Sequence, residues 1–159
     1  WFWEPGDDAH VFPLDDLVKM YYNSVGHNST LILGLTPDDR GLIPDTDVMR
    51  LKEWGNEIKK RFANPLAEWK ESNSNYTLLI PSNMPVSELV IQEDIQFGER
   101  VRSFIIEGLI GKKWTKITEG RCIGHKYIYV PEKPFNCKKI RLKINHSVDK
   151  PLIKSFKIY

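Results

Sequence analysis

The sequence predicts an α/β segment followed by an all-β domain. Apolar residues recur at the three- and four-residue spacing of helices up to about residue 62, and the spacing becomes that of short strands from about residue 76. Charge changes sign at nearly the same place. Residues 1–68 carry 7 basic against 12 acidic side chains, whereas residues 69–159 carry 16 against 9. We therefore divide the chain into two units, residues 1–68 and 69–159.

The composition excludes several classes of protein. Hydrophobic residues make up 41% and charged residues 28% of the 159 positions, which is typical of a globular chain. No apolar run approaches the roughly 20 residues of a membrane span, so we expect no membrane partner. The basic residues are scattered rather than gathered in one stripe, so we expect no nucleic-acid partner. The chain opens at Trp1-Phe2-Trp3 without an initiator Met or signal peptide, which indicates a piece of a longer protein.

The first unit is predicted to be a helix, a strand and a second helix. Apolar residues over 14–25 lie on one helical face, and Gly26 marks its predicted end. The nearly continuous apolar run at 30–35 is typical of a strand in a parallel sheet covered on both faces. The second helix is predicted over 48–62, with cap candidates at 45–47.

One strand cannot form a sheet, because both of its edges would be open. We therefore expect its partner strands in an upstream chain or segment. Trp1-Phe2-Trp3 then becomes the end of the preceding strand, and the acidic loop at 4–8 follows its carboxyl end. In (β/α)8 TIM barrels the active site lies at that end of the strands. Asp7 and Asp8 are interpreted as loop or helix-entry residues rather than a catalytic pair.

The second unit is predicted to be an antiparallel β-sandwich. Pro, Gly, Asn and Asp separate the strand-length segments, and several segments alternate between apolar and polar residues. A polar linker is predicted at 64–75. The predicted strands are 76–80, 87–92, 101–109, 113–118, 122–130, 138–144 and 152–159.

The sequence offers no metal site, and we expect no cofactor. The four histidines lack the spacing of a zinc motif. His27 beside Asn28 is interpreted as holding a turn. Cys122 and Cys137 leave two alternatives open, a disulfide or two buried thiols.

Both units contain runs that resemble one enzyme family. In the first unit these are WEPGD at 3–7, YYNSVGHN at 21–28, LILGLTPD at 31–38, GLIP at 41–44 and LKEWG at 51–55. In the second they are EDI at 93–95, GERVR at 98–102, Gly120, IGHK at 123–126 and KIRL at 139–142. The first set resembles the end of the catalytic barrel of glycoside hydrolase family 29 α-L-fucosidases. The second resembles the discoidin-like (coagulation-factor C-type) jelly-roll sandwich of its α-1,3/1,4-fucosidase-like subgroup.

The resemblance implies a retaining hydrolase that releases terminal L-fucose from fucosylated glycans. Its carboxylate nucleophile and acid/base belong to barrel segments upstream of the stretch matched here. The resemblance therefore assigns no catalytic residue to this chain, and we expect the chain alone to be inactive. A secreted or periplasmic location is expected, with the signal peptide in the upstream part.

Four aromatic or acidic residues are candidate sugar contacts. Trp3 at the barrel rim is expected to stack on a sugar ring, and Glu4 to hydrogen-bond a hydroxyl; the alternatives are a core aromatic and a solvated loop carboxylate. In the sandwich the candidates are Trp114 and Tyr127, although Tyr127 and Tyr129 share a face and equally suit a core row. A carbohydrate-binding or purely structural sandwich remains the alternative function.

Overall fold

The computed structural model describes residues 2–70, 75–81 and 84–159, in which two helices precede eight strands. Trp1 of the predicted strand end and residues 71–74 of the predicted linker lie outside the described residues. Neither helix in the described ranges is long and apolar enough to cross a membrane. The elements are α1 (Leu14–Ser24), α2 (Asp45–Arg61), β1 (Ala67–Glu68), β2 (Thr77–Leu79), β3 (Leu89–Glu93), β4 (Val101–Ile110), β5 (Lys113–Gly120), β6 (Tyr127–Tyr129), β7 (Lys139–Ser147) and β8 (Ile153–Ile158).

Both predicted helices are confirmed within a few residues of their predicted ends. α2 begins directly after Pro44 and has no side-chain cap hydrogen bond, so the prediction of a cap at 45–47 is wrong. Thr46 instead donates its hydroxyl hydrogen to Asp8 Oδ1 at 2.6 Å. This contact ties the start of α2 to the N-terminal loop.

The strand predicted at 30–35 is absent from the described residues, where this segment has no regular secondary structure. Ile32 is 85% exposed instead of buried on both faces. A strand exists only through hydrogen bonds to a neighbouring strand, and no described strand pairs with this segment. The apolar pattern is real, but its pairing partner is missing from the described chain.

The second unit folds as an antiparallel β-sandwich, as predicted. One sheet has the strand order β1-β8-β3-β6 and the other β2-β7-β4-β5, with every pairing antiparallel. Alternate side chains fill the space between the sheets. In β7, for example, Ile140 and Leu142 are buried while Lys139 and Lys143 are exposed. The fully buried core side chains are Val86, Leu89, Ile91, Val101, Phe104, Ile106, Ile123, Ile140, Phe156 and Ile158.

Strand β1 was not predicted from the sequence, and it lies in the segment predicted as a linker. It pairs with β8, and the flanking Trp69 N–H donates to Phe156 O at 2.8 Å. The Trp69 ring is buried, and its Nε1–H donates to Asn75 O at 3.1 Å. Two residues are too few to produce a visible alternation, which is why the pattern missed this strand. The division of the chain at residues 68 and 69 stays a prediction.

A buried carboxylate organises the loops at one end of the sandwich. Glu93 is 2% exposed, and its Oε1 accepts hydrogen bonds from the backbone N–H groups of Arg100 and Val101, both at 3.0 Å. Its Oε2 accepts from Gly124 N–H at 3.1 Å. A carboxylate can be buried only when hydrogen bonds replace its lost water. These three bonds therefore hold the two loops in fixed relative positions.

Main-chain hydrogen bonds at residues 26–28 join the first unit to the sandwich. The Asn28 N–H donates to Lys126 O at 2.9 Å, and the Ile128 N–H donates to Gly26 O at 2.8 Å. These residues run along the edge of β6, the last strand of its sheet. An open strand edge leaves peptide groups unpaired, and this junction covers part of that edge.

The Asn28 side chain adds two hydrogen bonds to this junction. Its Oδ1 accepts from the His125 N–H at 2.7 Å, and its Nδ2 donates to Glu99 Oε1 at 2.5 Å. Asn28 has a φ of 62°, and the facing Gly124 has a φ of 58°. The turn-holding role was predicted for His27, but these side-chain hydrogen bonds are made by Asn28. The His27 ring lies edge to face on Tyr127, at 6.2 Å between centroids.

The helices also pack against the sandwich through aromatic side chains. Tyr22 Oη donates to Glu88 Oε1 at 2.6 Å, and the rings of Phe62 and Tyr159 lie edge to face at 5.4 Å between centroids. Burial raises the pKa of the Tyr22 hydroxyl and of the Glu88 carboxyl. The aromatic side chains on and directly after the helices are half-buried as a result. They are Tyr21, Tyr22, Trp54 and Phe62.

We expect Gly124→Ala to lower the free energy of unfolding more than Gly111→Ala does. Both glycines have a positive φ, where a Cβ costs about 1–2 kcal/mol. A Cβ at Gly111 would meet no atom within 4 Å, whereas one at Gly124 would overlap the Asn28 amide. Urea unfolding followed by circular dichroism measures both losses. Equal losses would contradict a junction held by the contact between Gly124 and Asn28.

Candidate functional site

Trp3 lies half-buried in an open groove. Phe2, Pro5 and residues 34–39 line the same groove. Trp3 and residues 38–39 also line a smaller depression that extends to the start of α2. An indole ring in a groove offers a flat apolar surface, which suits the apolar face of a ring-shaped ligand.

The loop that carries Trp3 is held by its own acidic residues. Asp7 Oδ2 accepts from the Glu4 N–H at 2.8 Å, and the Asp7 N–H donates to Glu4 O at 3.1 Å. The loop continues into a single 3-10 turn over Asp7–His10, with Asp8 bonded to α2 as described above. This position agrees with the prediction of a loop or helix-entry role for Asp7 and Asp8. Glu4 is exposed, and it does not line the groove that its neighbour Trp3 lines.

The groove residues at 34–39 lead into a turn built on Asp38. Its Oδ1 accepts from the backbone N–H groups of Arg40 at 2.9 Å and Leu42 at 3.1 Å. Its Oδ2 accepts from the Arg40 guanidinium at 2.9 Å and 2.7 Å. These guanidinium bonds hold the pKa of the Asp38 carboxyl below its usual value. This turn was not predicted as part of the site. The spacing of Asp38 and Arg40, two residues apart, could have indicated the ion pair between them.

Exposed apolar side chains lie beside the groove. Phe2, Phe12 and Ile32 are all strongly exposed, and together with Trp3 they line a second open cavity between the N-terminal loop and α2. Single exposed apolar residues are ordinary, but a cluster of them is typical of a surface that another segment covers.

The two sandwich candidates lie in different sheets, Trp114 on β5 and Tyr127 on β6. The Arg141 guanidinium covers one face of the Trp114 ring, with its Cζ 4.0 Å from the ring centroid. Tyr127 packs edge to face on the buried Phe104 at 5.0 Å between centroids. Both Tyr127 and Tyr129 pack against the core, which agrees with the core-row interpretation. Neither sandwich candidate lines the Trp3 groove, and their sugar contact stays a prediction.

The described residues contain no group of three His, Cys, Asp or Glu side chains that could hold a metal ion. Cys122 and Cys137 are both free thiols, so the disulfide alternative does not hold, and both are half-buried rather than fully buried. Burial raises the pKa of the Cys137 thiol to about 11, so it is protonated and unreactive at neutral pH.

Sequence comparison finds similar proteins that are longer than this chain. No family model matches it. A protein of Oryza sativa subsp. japonica assigned as an α-L-fucosidase is 30% identical over the whole chain, and α-L-fucosidase 1 of Arabidopsis thaliana is 24% identical. The chain spans 37% and 38% of the lengths of these two relatives.

Solved structures also match this chain along its whole length and are likewise longer than it. A Bacteroides thetaiotaomicron VPI-5482 protein assigned as an α-L-fucosidase matches the whole chain with 42% identity and a TM-score of 0.92, over 37% of its own length. A Bacteroides ovatus ATCC 8483 protein with the same assignment matches with 30% identity and a TM-score of 0.83, over 28% of its length. A glycoside hydrolase family 29 member from a rumen bacterium matches with 28% identity and a TM-score of 0.79, over 30% of its length.

We expect Asp38→Asn to loosen the turn beside the groove at neutral pH and to have little effect in strong acid. Because folding lowers the pKa of Asp38, its stabilisation is complete above the unfolded pKa and is lost as the pH falls through the folded pKa. In the unmodified chain, the Arg40 and Leu42 amides should therefore be protected from hydrogen exchange at neutral pH and lose protection in strong acid. Asp38→Asn should reduce the neutral-pH protection and remove its pH dependence.

The neighbouring substitution Asp39→Asn is the control, because the Asp39 carboxylate accepts no hydrogen bond from the described residues. Protection factors measured by NMR at several pH values compare the two variants. Unchanged protection in Asp38→Asn would contradict this account of the turn.

Proposed function

We propose that the protein containing this chain is a retaining α-L-fucosidase, because the chain corresponds along its whole length to the C-terminal part of glycoside hydrolase family 29 α-L-fucosidases. It releases terminal L-fucose from glycoconjugates or oligosaccharides. The observation that carries the proposal is the match to the Bacteroides thetaiotaomicron structure over the entire chain, with 42% identity and a TM-score of 0.92.

The catalytic carboxylates are proposed to lie upstream of this chain. A retaining glycosidase needs a nucleophile and an acid/base about 5–5.5 Å apart across the scissile bond. The family resemblance implies that both belong to the part of the relatives that this chain does not match. The contribution of this chain is then to complete the barrel and its rim, and no residue of it touches the reacting bond.

Trp3 and Glu4 are proposed to contact the fucose. The half-buried indole of Trp3 offers a flat surface in an open groove, and the exposed carboxylate of Glu4 follows it directly. The hydrogen bonds between Glu4 and Asp7 fix the loop before any ligand arrives. A pre-ordered loop lowers the entropic cost of binding.

Residues 1–68 are proposed to be the closing units of a (β/α)8 barrel. The apolar, unpaired segment at 30–35 supports this, because it has the composition of a barrel strand and lacks a partner among the described residues. The exposed Phe2, Phe12 and Ile32 would be covered by the rest of the barrel. We further propose that residues 69–159 form a discoidin-like sandwich and that the enzyme is secreted or periplasmic.

We infer that the sandwich has a structural role rather than a carbohydrate-binding one. Its main-chain hydrogen bonds to the first unit lie at residues 26–28, just before the 30–35 segment, whereas the Trp3 groove involves residues 34–39, which begin at the other end of that segment. The sandwich therefore supports the opposite end of this segment from the proposed sugar contact. Tyr127, one of its two candidate aromatics, already packs edge to face on Phe104.

We expect a chimera to hydrolyse a nitrophenyl α-L-fucoside when this chain replaces the matched C-terminal part of the Bacteroides thetaiotaomicron protein. The 159-residue chain alone should give no turnover, because it lacks the carboxylate pair. Circular dichroism and thermal melting establish that both proteins are folded. Turnover by the isolated chain, or a folded but inactive chimera beside an active parent, would contradict the proposal.

In the same chimera, Trp3→Ala should lower kcat/KM for the fucoside about tenfold, which corresponds to about 1.4 kcal/mol of lost transition-state binding. Trp114→Ala is the matched control, since it removes the same side chain from the sandwich, and it should leave kcat/KM unchanged. Steady-state kinetics of the two variants give the comparison. A loss in Trp114→Ala with none in Trp3→Ala would favour sugar binding by the sandwich and reject the proposed rim.

A further inference from the structure

A cleft separates the helices from the outer face of the β1-β8-β3-β6 sheet. Its volume is about 380 Å³, within the range of small-molecule sites. Tyr21 of α1 and Phe62 after α2 line it from the first unit, and Val90, Ile128 and Tyr159 line it from the sandwich. Its walls are therefore largely apolar and aromatic. None of its lining residues lines the Trp3 groove.

Three lysines line the same cleft, one on each of three different segments. Lys59 lies in the last turn of α2, Lys126 directly before β6, and Lys157 on β8. The Lys126 ammonium donates to Tyr21 Oη at 3.0 Å and lies 5.5 Å from the centroid of that ring. It keeps its other two N–H donors for a ligand, since an ammonium group has three.

The charge of the cleft is only partly neutralised. Among the described residues, Glu68 is the one carboxylate paired with these lysines, through its Oε1 at 3.0 Å from Lys157 Nζ. Lys59 is exposed and makes no ion pair within the described ranges. Like charges around one cavity repel each other, and an anion placed between them removes that repulsion.

The other polar side chains of the cleft already make hydrogen bonds. Tyr21 Oη accepts from Lys126, and Tyr159 Oη donates to Phe62 O at 3.4 Å. Gln92 donates through Nε2 to His125 O at 3.2 Å, and its Oε1 accepts from Ser155 Oγ at 3.0 Å. The lysines are thus the main polar groups left for a ligand. Apolar walls with a few converging donors are the usual composition of a small-molecule site.

We propose that this cleft binds a small organic anion. A carboxylate, phosphate or sulfate group would accept hydrogen bonds from Lys59, Lys126 and Lys157, and a flat apolar body would lie against Tyr21 and Phe62. Because both units line the cleft, the bound anion would also stabilise their packing. This site is independent of the proposed fucosidase activity.

Phenyl phosphate is the probe, because it combines a dianion with an aromatic ring, and phenol is its neutral counterpart. Titration calorimetry and NMR shifts on the 159-residue chain measure binding. We expect saturable, one-to-one binding of phenyl phosphate and a rise in Tm at saturating concentration. Phenol should bind more weakly.

Lys59→Gln should weaken phenyl phosphate binding about fivefold, the upper end for one solvent-exposed charge contact. Lys60→Gln is the matched control, since Lys60 is the next residue of α2, is also exposed, and does not line the cleft. It should leave the Kd unchanged. Circular dichroism confirms that both variants remain folded.

Absence of saturable binding to the folded chain would overturn the proposal. Equal weakening by Lys59→Gln and Lys60→Gln would overturn it too, since the effect would then be one of net charge. Binding of phenol as tight as that of phenyl phosphate would reject an anionic ligand. Selective loss in Lys59→Gln supports the site.

Discussion

Where residues 26–28 run beside β6, peptide groups that would otherwise be unpaired on both segments satisfy each other. The arrangement of the two units depends on this contact. Asn28 adds a side-chain bond to each of two loops, reaching His125 N and Glu99 Oε1. The helices can then lie against the outer face of the sheet only in the position that this short pairing sets.

The same end of the sandwich is organised by Glu93. Its carboxylate bonds the backbone of Gly124, and the position of Gly124 determines whether Asn28 fits. The junction is thus supported from inside the sandwich by a buried charge and from outside by an amide. Each depends on the other, because a loop that moved away from Glu93 would leave buried polar groups without partners.

Opposite charges contribute little to the contact between the helices and the sandwich. Among the described residues, the one ion pair between residues 1–68 and 69–159 joins Glu68 of β1 to Lys157 of β8, two strands of the same sheet. Contacts between the helices and the sandwich pair a neutral donor with a carboxylate, as Tyr22 does with Glu88, or a lysine with a phenol, as Lys126 does with Tyr21. Uncompensated lysines consequently remain where the two units meet.

Both helices and the strands β2 to β8 followed from the sequence alone, since periodic apolar residues such as those of α1 and β7 report local geometry directly. The family resemblance came from short runs in the same way. The strand predicted at 30–35 is absent because no described strand pairs with it, and β1 was missed because two residues carry no period. The sequence could not predict the joint role of Asn28, Gly124 and Glu93, because they are far apart in the chain and adjacent only in space. Tertiary structure alone decided the junction and the lysine cleft, because both are made by contacts between segments that no local pattern relates.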